Sequence, residues 1–537
     1  MDKLHYYKPD WIVPTDQVLE VDVCIYGASS AGVIAAIETA ERGKTVVLLQ
    51  PGPFIGGLTT GGLGWTDHGK AHVIGGKSRE FYRRCGTYYG KTEEWYFEPH
   101  VAQTVYDQWL KQHGITPILY QYLQSMDLQN GRIMAVRMLG GLTVKAHVYL
   151  DCTYEGDLMA AAKVSYHVGR EGNSLYGETL NGIQVRELHQ FVPARVDPYV
   201  RPGDPSSGLL PQIEAADLSK RMGQADHRVQ AYNFRICMTD DPVLKIPWEK
   251  PEHFNPQEYI LAARWFDGEK DFYNEQLRTY EGKVSQVPCK FDIFPNRTAG
   301  GYFKTDTNNH GPVSSDYIGM SWGWAEGSYE YREKLFQSHV TYQKGLYWFL
   351  SNAPEIPDRY RQAYARWGLC RDEFVETGGW SPQLYVREAR RMVSDYVITE
   401  HDCMHRRQCD DPVGMGSYSL DSHNCTRFVN ADGKVMNEGD VQVKPAGPYR
   451  ISYRSIVPRG SECTNLLVPV CCSTSHIAYG SVRMEPVFMI LGQSAAVAAC
   501  MSIDNASSVQ NVSYRKLREE LLRLGQVLEL DRTGSGV

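Results

Sequence analysis

Between residues 21 and 50 the apolar positions change period twice. Val21, Val23 and Ile25 alternate with polar neighbours, which predicts a strand. From Ala31 to Arg42, Val33, Ile34, Ala36, Ile37 and Ala40 recur at helical spacing, and Gly43 follows where a helix end favours a left-handed residue. Thr45 to Leu49 reads as a second strand. The turn between strand and helix is a G-x-S-x-x-G variant of the dinucleotide fingerprint G-x-G-x-x-G. Gly27 permits the tight turn and Gly32 the close packing of helix on strand. Ser29, Ser30 and Ala31 open the helix, whose free N–H groups and partial positive charge suit a pyrophosphate. Ser29 replaces a glycine, and its hydroxyl is itself a phosphate donor. Gln50 ends the second strand where an acid usually accepts from the adenosine ribose, and its carbonyl oxygen is a weaker acceptor for the same contact.

Helical spacing returns over Ser78 to Cys85 and Glu98 to His113. Residues 117–150 then read as three strands joined by Asn130-Gly131 and Gly140-Gly141 turns. The last strand runs into DCTYEGDL, where a small polar turn with Gly156 and Asp157 starts another helix. Beyond residue 165 the pattern becomes irregular and aromatic-rich, with helices expected over Glu326 to Phe349 and Leu384 to Val397. Asn465 to Val470 is a buried-strand run, followed by a polar turn and an apolar helix containing Gln493. A short amphipathic helix closes residues 512–529, and residues 1–20 read as a polar surface extension.

The chain has 537 residues, 42% hydrophobic and 22% charged, with a formal net charge of -7. That balance is an ordinary globular protein's and gives no basic footprint for nucleic acid. The first residues lack the apolar core of a signal peptide, and the run Val487 to Met501 is too short for a membrane span. Thirteen scattered cysteines suit free thiols in a reducing compartment. The expectation is a cytoplasmic protein with a small-molecule substrate, no nucleic-acid or membrane partner, an unspecified electron acceptor, and room for homo-oligomerisation.

Between the two dinucleotide strands and the first of these helices lies PGPFIGGLTTGGLGWTDHG, a loop whose Gly56, Gly57, Gly61 and Gly62 suit close passage beside a flat or phosphorylated ligand. With that loop, the opening turn and DCTYEGDL, the chain resembles the two-dinucleotide-binding-domain flavoproteins. More closely, GGKSREFY, FEPHVAQ, YHVGREG, KTDTNN, YVREARRM, YSLDSHN and SHIAYGSVRMEP resemble the FAD-dependent oxidoreductase family. The resemblance implies an α/β fold: a Rossmann-like FAD-binding domain with a three-stranded β-meander and a large inserted α+β substrate domain. The FAD domain would take residues 1–165 and 444–511, the substrate domain 166–443, and a C-terminal helix and tail 512–537. Non-covalent FAD would contact Gly27, Ser29, Ser30, Ala31, Gly32, Gln50, Gly56, Gly57, Thr59, Thr60, Gly62, Leu63, Gly156, Asp157 and Gln493. The implied activity is hydride transfer at a small polar substrate. A flavin-supported lyase or isomerase is the alternative, and a carboxylate reductase of fumarate-reductase type stands behind both.

Flavin chemistry asks the protein for orientation, a proton carrier and charge near the ring. His476 and Arg483 fall in the turn that should face the flavin, similar to the His and Arg of fumarate-reductase-type enzymes. Asp421 and His423 suit a carboxylate-oriented imidazole base. Arg387, Arg390 and Arg391 would share one face of a helix, and Arg483 has Glu485 as a nearby partner. The many Trp and Tyr residues of 322–380, with Asp306 and Asn308, point to a sugar or glycoside. His401, Cys403, His405 and Cys409 are soft ligands without a standard zinc spacing, and no metal is expected.

Overall fold

The computed structural model describes residues 3–191, 195–268, 279–280, 283–285 and 289–530. Its first sheet is built around β1 (Val18–Tyr26), flanked in parallel by β2 (Val46–Leu49) and β5 (Thr143–Asp151), in the register Val23↔Val46 and Val23↔Val148. Helix α1 (Ser30–Glu41) crosses between β1 and β2. The hairpin β3 (Leu123–Gln129) and β4 (Arg132–Met138) joins antiparallel to the start of β5. Its turn uses Asn130 at φ 50 and Gly131 at φ 71, the two left-handed residues that a type I′ turn requires. The end of β5 pairs instead with Leu466–Leu467, which returns from far along the chain in parallel. This places the C-terminal ends of β1, β2 and β5 side by side, at the edge where doubly wound sheets bind ligands.

The helix Glu485–Asp504 packs on α1, on β5 and on α2 (Gly76–Tyr88), while α3 (Pro99–Gln112) lies against α1 and α2. Helix Glu485–Asp504 is long and apolar enough to cross a membrane, but 89% of its apolar window is buried within the chain. It packs on α1 so closely that a Cβ at Gly492 would lie 2.3 Å from the Ala31 carbonyl oxygen. The inserted region carries a seven-stranded antiparallel sheet centred on Cys289–Arg297 and Phe303–Asn309, with the long helix Tyr329–Asn352 beside it. Ser328 caps that helix by accepting from the Tyr331 amide.

Three expectations change. Residues 384–397 are extended, not helical: Leu384 bridges Phe234 and Arg391–Met392 pairs with Tyr166–His167. The buried-strand run at 465–470 forms only two ladder residues, Leu466–Leu467. The N-terminal residues are not a solvated extension, because Tyr7 and Trp11 are buried with Tyr122 in a cluster of their own. Several of the aromatic side chains expected to line a sugar site are core: Tyr347, Trp367 and Trp380 are each at most 1% exposed.

The Gly492 contact yields a test. Backbone meets backbone there, so neither side can move aside cheaply. Gly492→Ala should lose about 1–3 kcal/mol of stability, as overpacking does, seen in chemical denaturation. An unchanged midpoint would show that the two helices separate freely.

Candidate functional site

At the C-terminal ends of β1, β2 and β5 a cavity opens between Gly27–Ser29, Gln50–Phe54 and Cys152–Glu155. Its far wall comes from the inserted region, through Trp324, Phe336 and Pro382–Leu384, and from His5 and Tyr6. Gly27 sits at φ +98, and a Cβ there would lie 2.7 Å from the Cys152 carbonyl carbon. At Gly32 it would lie 1.9 Å from the Gly27 oxygen, so both glycines are required by packing. Ser29 is the N-cap of α1 but makes no side-chain cap bond, so the first-turn amides of α1 are not capped by it. Ser29 Oγ donates to the Cys152 carbonyl at 2.7 Å, tying the turn to β5 rather than pointing at a ligand. Gln50 Oε1 accepts from the Ala28 amide at 2.7 Å and ties the same turn to β2. Ser30 Oγ is buried beside the Glu485 carboxyl and does not line the cavity. Uncapped amides at the start of a 12-residue helix that opens on this cavity fit the pyrophosphate of a dinucleotide.

The other expected cofactor residues divide. The glycines of the loop press on protein: a Cβ on Gly57 would lie 2.2 Å from the Tyr154 hydroxyl and one on Gly62 1.9 Å from the Arg235 oxygen. Gly56, at φ +89, packs on Thr60, and Leu63 is buried. Thr59 Oγ1 donates to Glu485 at 2.8 Å, and Thr60 Oγ1 donates to the Ile55 carbonyl. Gly156, at φ +71, caps the short helix Asp157–Ala161. The Asp157 carboxylate is held by Arg332 at 2.6 and 2.8 Å and by Arg390 at 2.8 Å, so it faces arginines rather than a cofactor. Gln493 is a structural pin: it donates to Glu38 and accepts from the Lys77 amide and from Gln526. Ala31 lies in the first turn of α1 against Gly492.

A second cluster gathers the expected catalytic residues, apart from one. Arg483 ends the short helix His476–Val482, donates to the Tyr385 hydroxyl at 2.6 Å, and meets Asp421 through its carbonyl at 3.0 Å and its carboxylate at 3.3 Å. Glu485 is not its partner. His423 Nδ1 lies 2.7 Å from Asp316, and its Nε2 lies 3.7 Å from Asp421. Arg387 pairs with the other oxygen of Asp316 at 3.0 Å and lies over the Tyr385 ring. Arg235 grips Asp306 through Nε and Nη2, and Asp306 also accepts from the Trp65 amide. Asn308 lies 3.3 Å from Arg387, so Asp306 and Asn308 hold arginines and not hydroxyls. Arg483 Nε, Arg235 Nη1 and Asp421 Oδ1 are buried without a protein partner.

Burial and Arg387 lower the proton affinity of His423, but Asp316 and Asp421 outweigh them and raise its pKa above the usual value. Burial would raise Asp421, yet His423, Arg483 and Arg387 bring it down to about 2. The two carboxylates thus favour the imidazolium form of His423.

His476 lies apart from this pair's contacts. It opens its helix, with Nδ1 2.8 Å from Glu388, Nε2 3.1 Å from Ser422 Oγ, and its amide on Glu171. Arg391 closes that cluster onto Glu171 and Glu388. Both ring nitrogens are thus engaged within the protein. The three arginines of YVREARRM do not share a face; each meets a different acid. Among the soft-ligand candidates, His401 bonds the Tyr176 carbonyl and His405 the Pro448 carbonyl. Among the described residues no three His, Cys, Asp or Glu side chains stand where they could hold a metal ion. Asp316 and Arg235 carried no motif, and Tyr385 and Glu155 lay inside YVREARRM and DCTYEGDL without being singled out; their partners lie too far along the chain for spacing to show.

The sequence profile described as FAD dependent oxidoreductase matches residues 22–521. The chain belongs to that family. No curated protein matches it in sequence. Among solved structures, the open conformation of a flavocytochrome c3 fumarate reductase covers 30% of this chain and 44% of its own, at 13% identity and a TM-score of 0.21. The 3-ketosteroid-delta4-(5alpha)-dehydrogenase of Rhodococcus jostii RHA1 covers 25% and 45%, at 14% identity and 0.19. For Thermovibrio ammonificans THI4 the shares are 28% and 66%, at 18% identity and 0.22. The chain spans less than two thirds of the length of each.

The His423 cluster makes a pH prediction. A histidine whose folded pKa lies above its unfolded value, about 6.5, stabilises fully below that value and loses the contribution as pH rises through the folded pKa. His423→Gln should therefore cost about 3–5 kcal/mol near pH 6, as breaking a buried pair does. The gap to wild type should narrow toward pH 9, with Asp316, Asp421 and Arg387 as the facing charges. A gap that does not vary with pH in urea titrations would contradict this.

Proposed function

We propose that this FAD-dependent oxidoreductase transfers a hydride between non-covalently bound FAD and a small, oxygen-rich substrate, held by Arg483 and Arg235. The cofactor, when bound, supplies two-electron hydride chemistry. Gly27, Gln50 and the first turn of α1 hold its pyrophosphate end in this reading, with the turn's amides as the donors. Arg483 and Arg235 orient the substrate through an anionic or carbonyl oxygen. His423, kept protonated between Asp316 and Asp421, holds the proton that the substrate oxygen takes up or gives back.

The observation that carries the reading is the pair of buried guanidinium N–H groups without an acceptor, Arg483 Nε and Arg235 Nη1. Such donors are rare in folded proteins, because leaving one unmet costs about 1–3 kcal/mol. Arg483 donates to the Tyr385 hydroxyl at 2.6 Å, and the Tyr385 amide donates at 2.8 Å to the carbonyl of Asn233, two residues before Arg235, which sets the two guanidinia in one neighbourhood. Two cationic donors favour a carboxylate or keto acid. The sugar reading leaned on aromatic rings, and several of those fill the core.

Purified protein should be yellow, and acid precipitation should release the flavin. Titration of the oxidised enzyme with small carboxylates should perturb the flavin spectrum, and Arg483→Lys should weaken that binding ten- to a hundred-fold, the worth of a charged hydrogen bond of about 1.5–3 kcal/mol. Perturbation by neutral glycosides alone would overturn the substrate assignment; colourless protein that takes up no FAD would overturn the cofactor site.

A further inference from the structure

We infer that His5 and Tyr6 are cofactor-site residues: the N-terminal segment Lys3–Lys8 forms the outer wall of the dinucleotide cavity, and Glu333 is the positioning residue that holds it there. The inference rests on reading that cavity as the FAD site. His5 and Tyr6 line it together with Gly27–Ser29, although no motif in the first 20 residues suggests a ligand role.

The segment is held by one carboxylate. Glu333 Oε2 accepts from the consecutive amides of Tyr6 and Tyr7 at 2.7 and 3.0 Å, and Oε1 lies 2.6 Å from His5 Nδ1. Two successive amides on one oxygen fix the backbone there, much as a cap fixes a helix start. Gln337, one turn along the same helix, donates to the Leu4 carbonyl at 2.9 Å and to Glu333 at 2.8 Å. From the sheet side, Tyr122 donates to the Tyr6 carbonyl at 2.6 Å. The Tyr6 ring meets Trp324, another wall residue, edge to face at 4.8 Å. Its hydroxyl accepts from Arg332, the guanidinium that also neutralises Asp157 below the cavity.

A strand of chain seated this way does two things for a dinucleotide. It excludes water from the open side of the α1 turn, where hydrogen bonds to a pyrophosphate are weakened by solvent. It also joins the inserted region, through the helix that carries Glu333, to the turn that binds phosphate. The cofactor's escape then requires the segment to lift. A segment with a merely structural role would leave the release rate alone.

The test uses the full-length holoenzyme. FAD release is followed by the recovery of flavin fluorescence on dilution, for Glu333→Gln, which removes the charge of the latch, and for His5→Ala, which removes a wall residue. The thermal midpoint of each apo protein is measured alongside. Both variants should release FAD at least ten-fold faster, with the apo midpoint of His5→Ala close to wild type. Saturating FAD should also slow chymotryptic cleavage after Tyr6 and Tyr7. Release within two-fold of wild type in both variants, or cleavage indifferent to FAD, overturns the role of the segment while leaving the FAD site intact. Wild-type protein that takes up no FAD overturns the site itself, and this inference with it.

Discussion

A guanidinium stays charged inside a protein, so every arginine the fold buries must be given an acceptor. This chain buries many of them. Arg170 meets Asp226 and Glu438, Arg235 meets Asp306, Arg332 meets Asp157, Arg387 meets Asp316, and Arg391 meets Glu171 and Glu388. Removing one partner from such a pair costs about 3–5 kcal/mol, against a total stability of about 5–15 kcal/mol for a typical domain. Arg427 is the informative exception: it meets neutral groups, among them the Asn437 and Gln212 amide oxygens and the Pro312 carbonyl, and burial pulls its pKa below the usual value. Arg332–Asp157 ties the inserted region to the segment after β5, while the other pairs knit the inserted region itself, each fixing distance and direction as apolar contact does not.

Residues 384–391 show the constraint at work. A helix would bring Arg387, Arg390 and Arg391 side by side at i, i+3 and i+4, where like charges repel. Extended chain instead sends successive side chains to opposite sides. Arg387 can then reach Asp316, Arg390 reach Asp157 and Glu326, and Arg391 reach Glu171 and Glu388. The acids came from four separate stretches of sequence, and only an extended run could serve all of them. Electrostatics overrode the helical pattern of the segment.

The dinucleotide unit was legible because its information is local. Period-2 and period-3.6 patterns, a glycine at φ +98 and an Asn-Gly hairpin all lie within a few residues of what they determine. The catalytic candidates Asp421, His423 and Arg483 were legible as residue types that suit proton and anion chemistry. Their wiring was not. His423 finds Asp316 across 107 residues, Arg483 finds Tyr385 across 98, and Glu333 finds His5 across 328. His476 was legible as a polar residue in the right segment, but its partner Glu388 lies 88 residues away and takes its Nδ1. Nothing in the spacing of either segment announces such a pairing.

The two departures from the dinucleotide fingerprint are explained by charge. A pyrophosphate would approach three carboxyl groups clustered after β5, namely Asp151, Glu155 and Asp157. Asp157 is neutralised by Arg332 and Arg390. Burial pushes Asp151 up to about 6 and Glu155 up to about 7, which weakens the negative charge near neutral pH at Glu155 above all. An acid at position 50 would add another anion beside the same turn. Gln50 supplies the acceptor that the Ala28 amide needs without that charge. Ser29 spends its hydroxyl on the Cys152 carbonyl, so in the proposed site phosphate recognition would fall to the backbone amides and dipole of α1, at a helix N-terminus whose field is positive. The fingerprint is altered in its side chains and kept in its electrostatics.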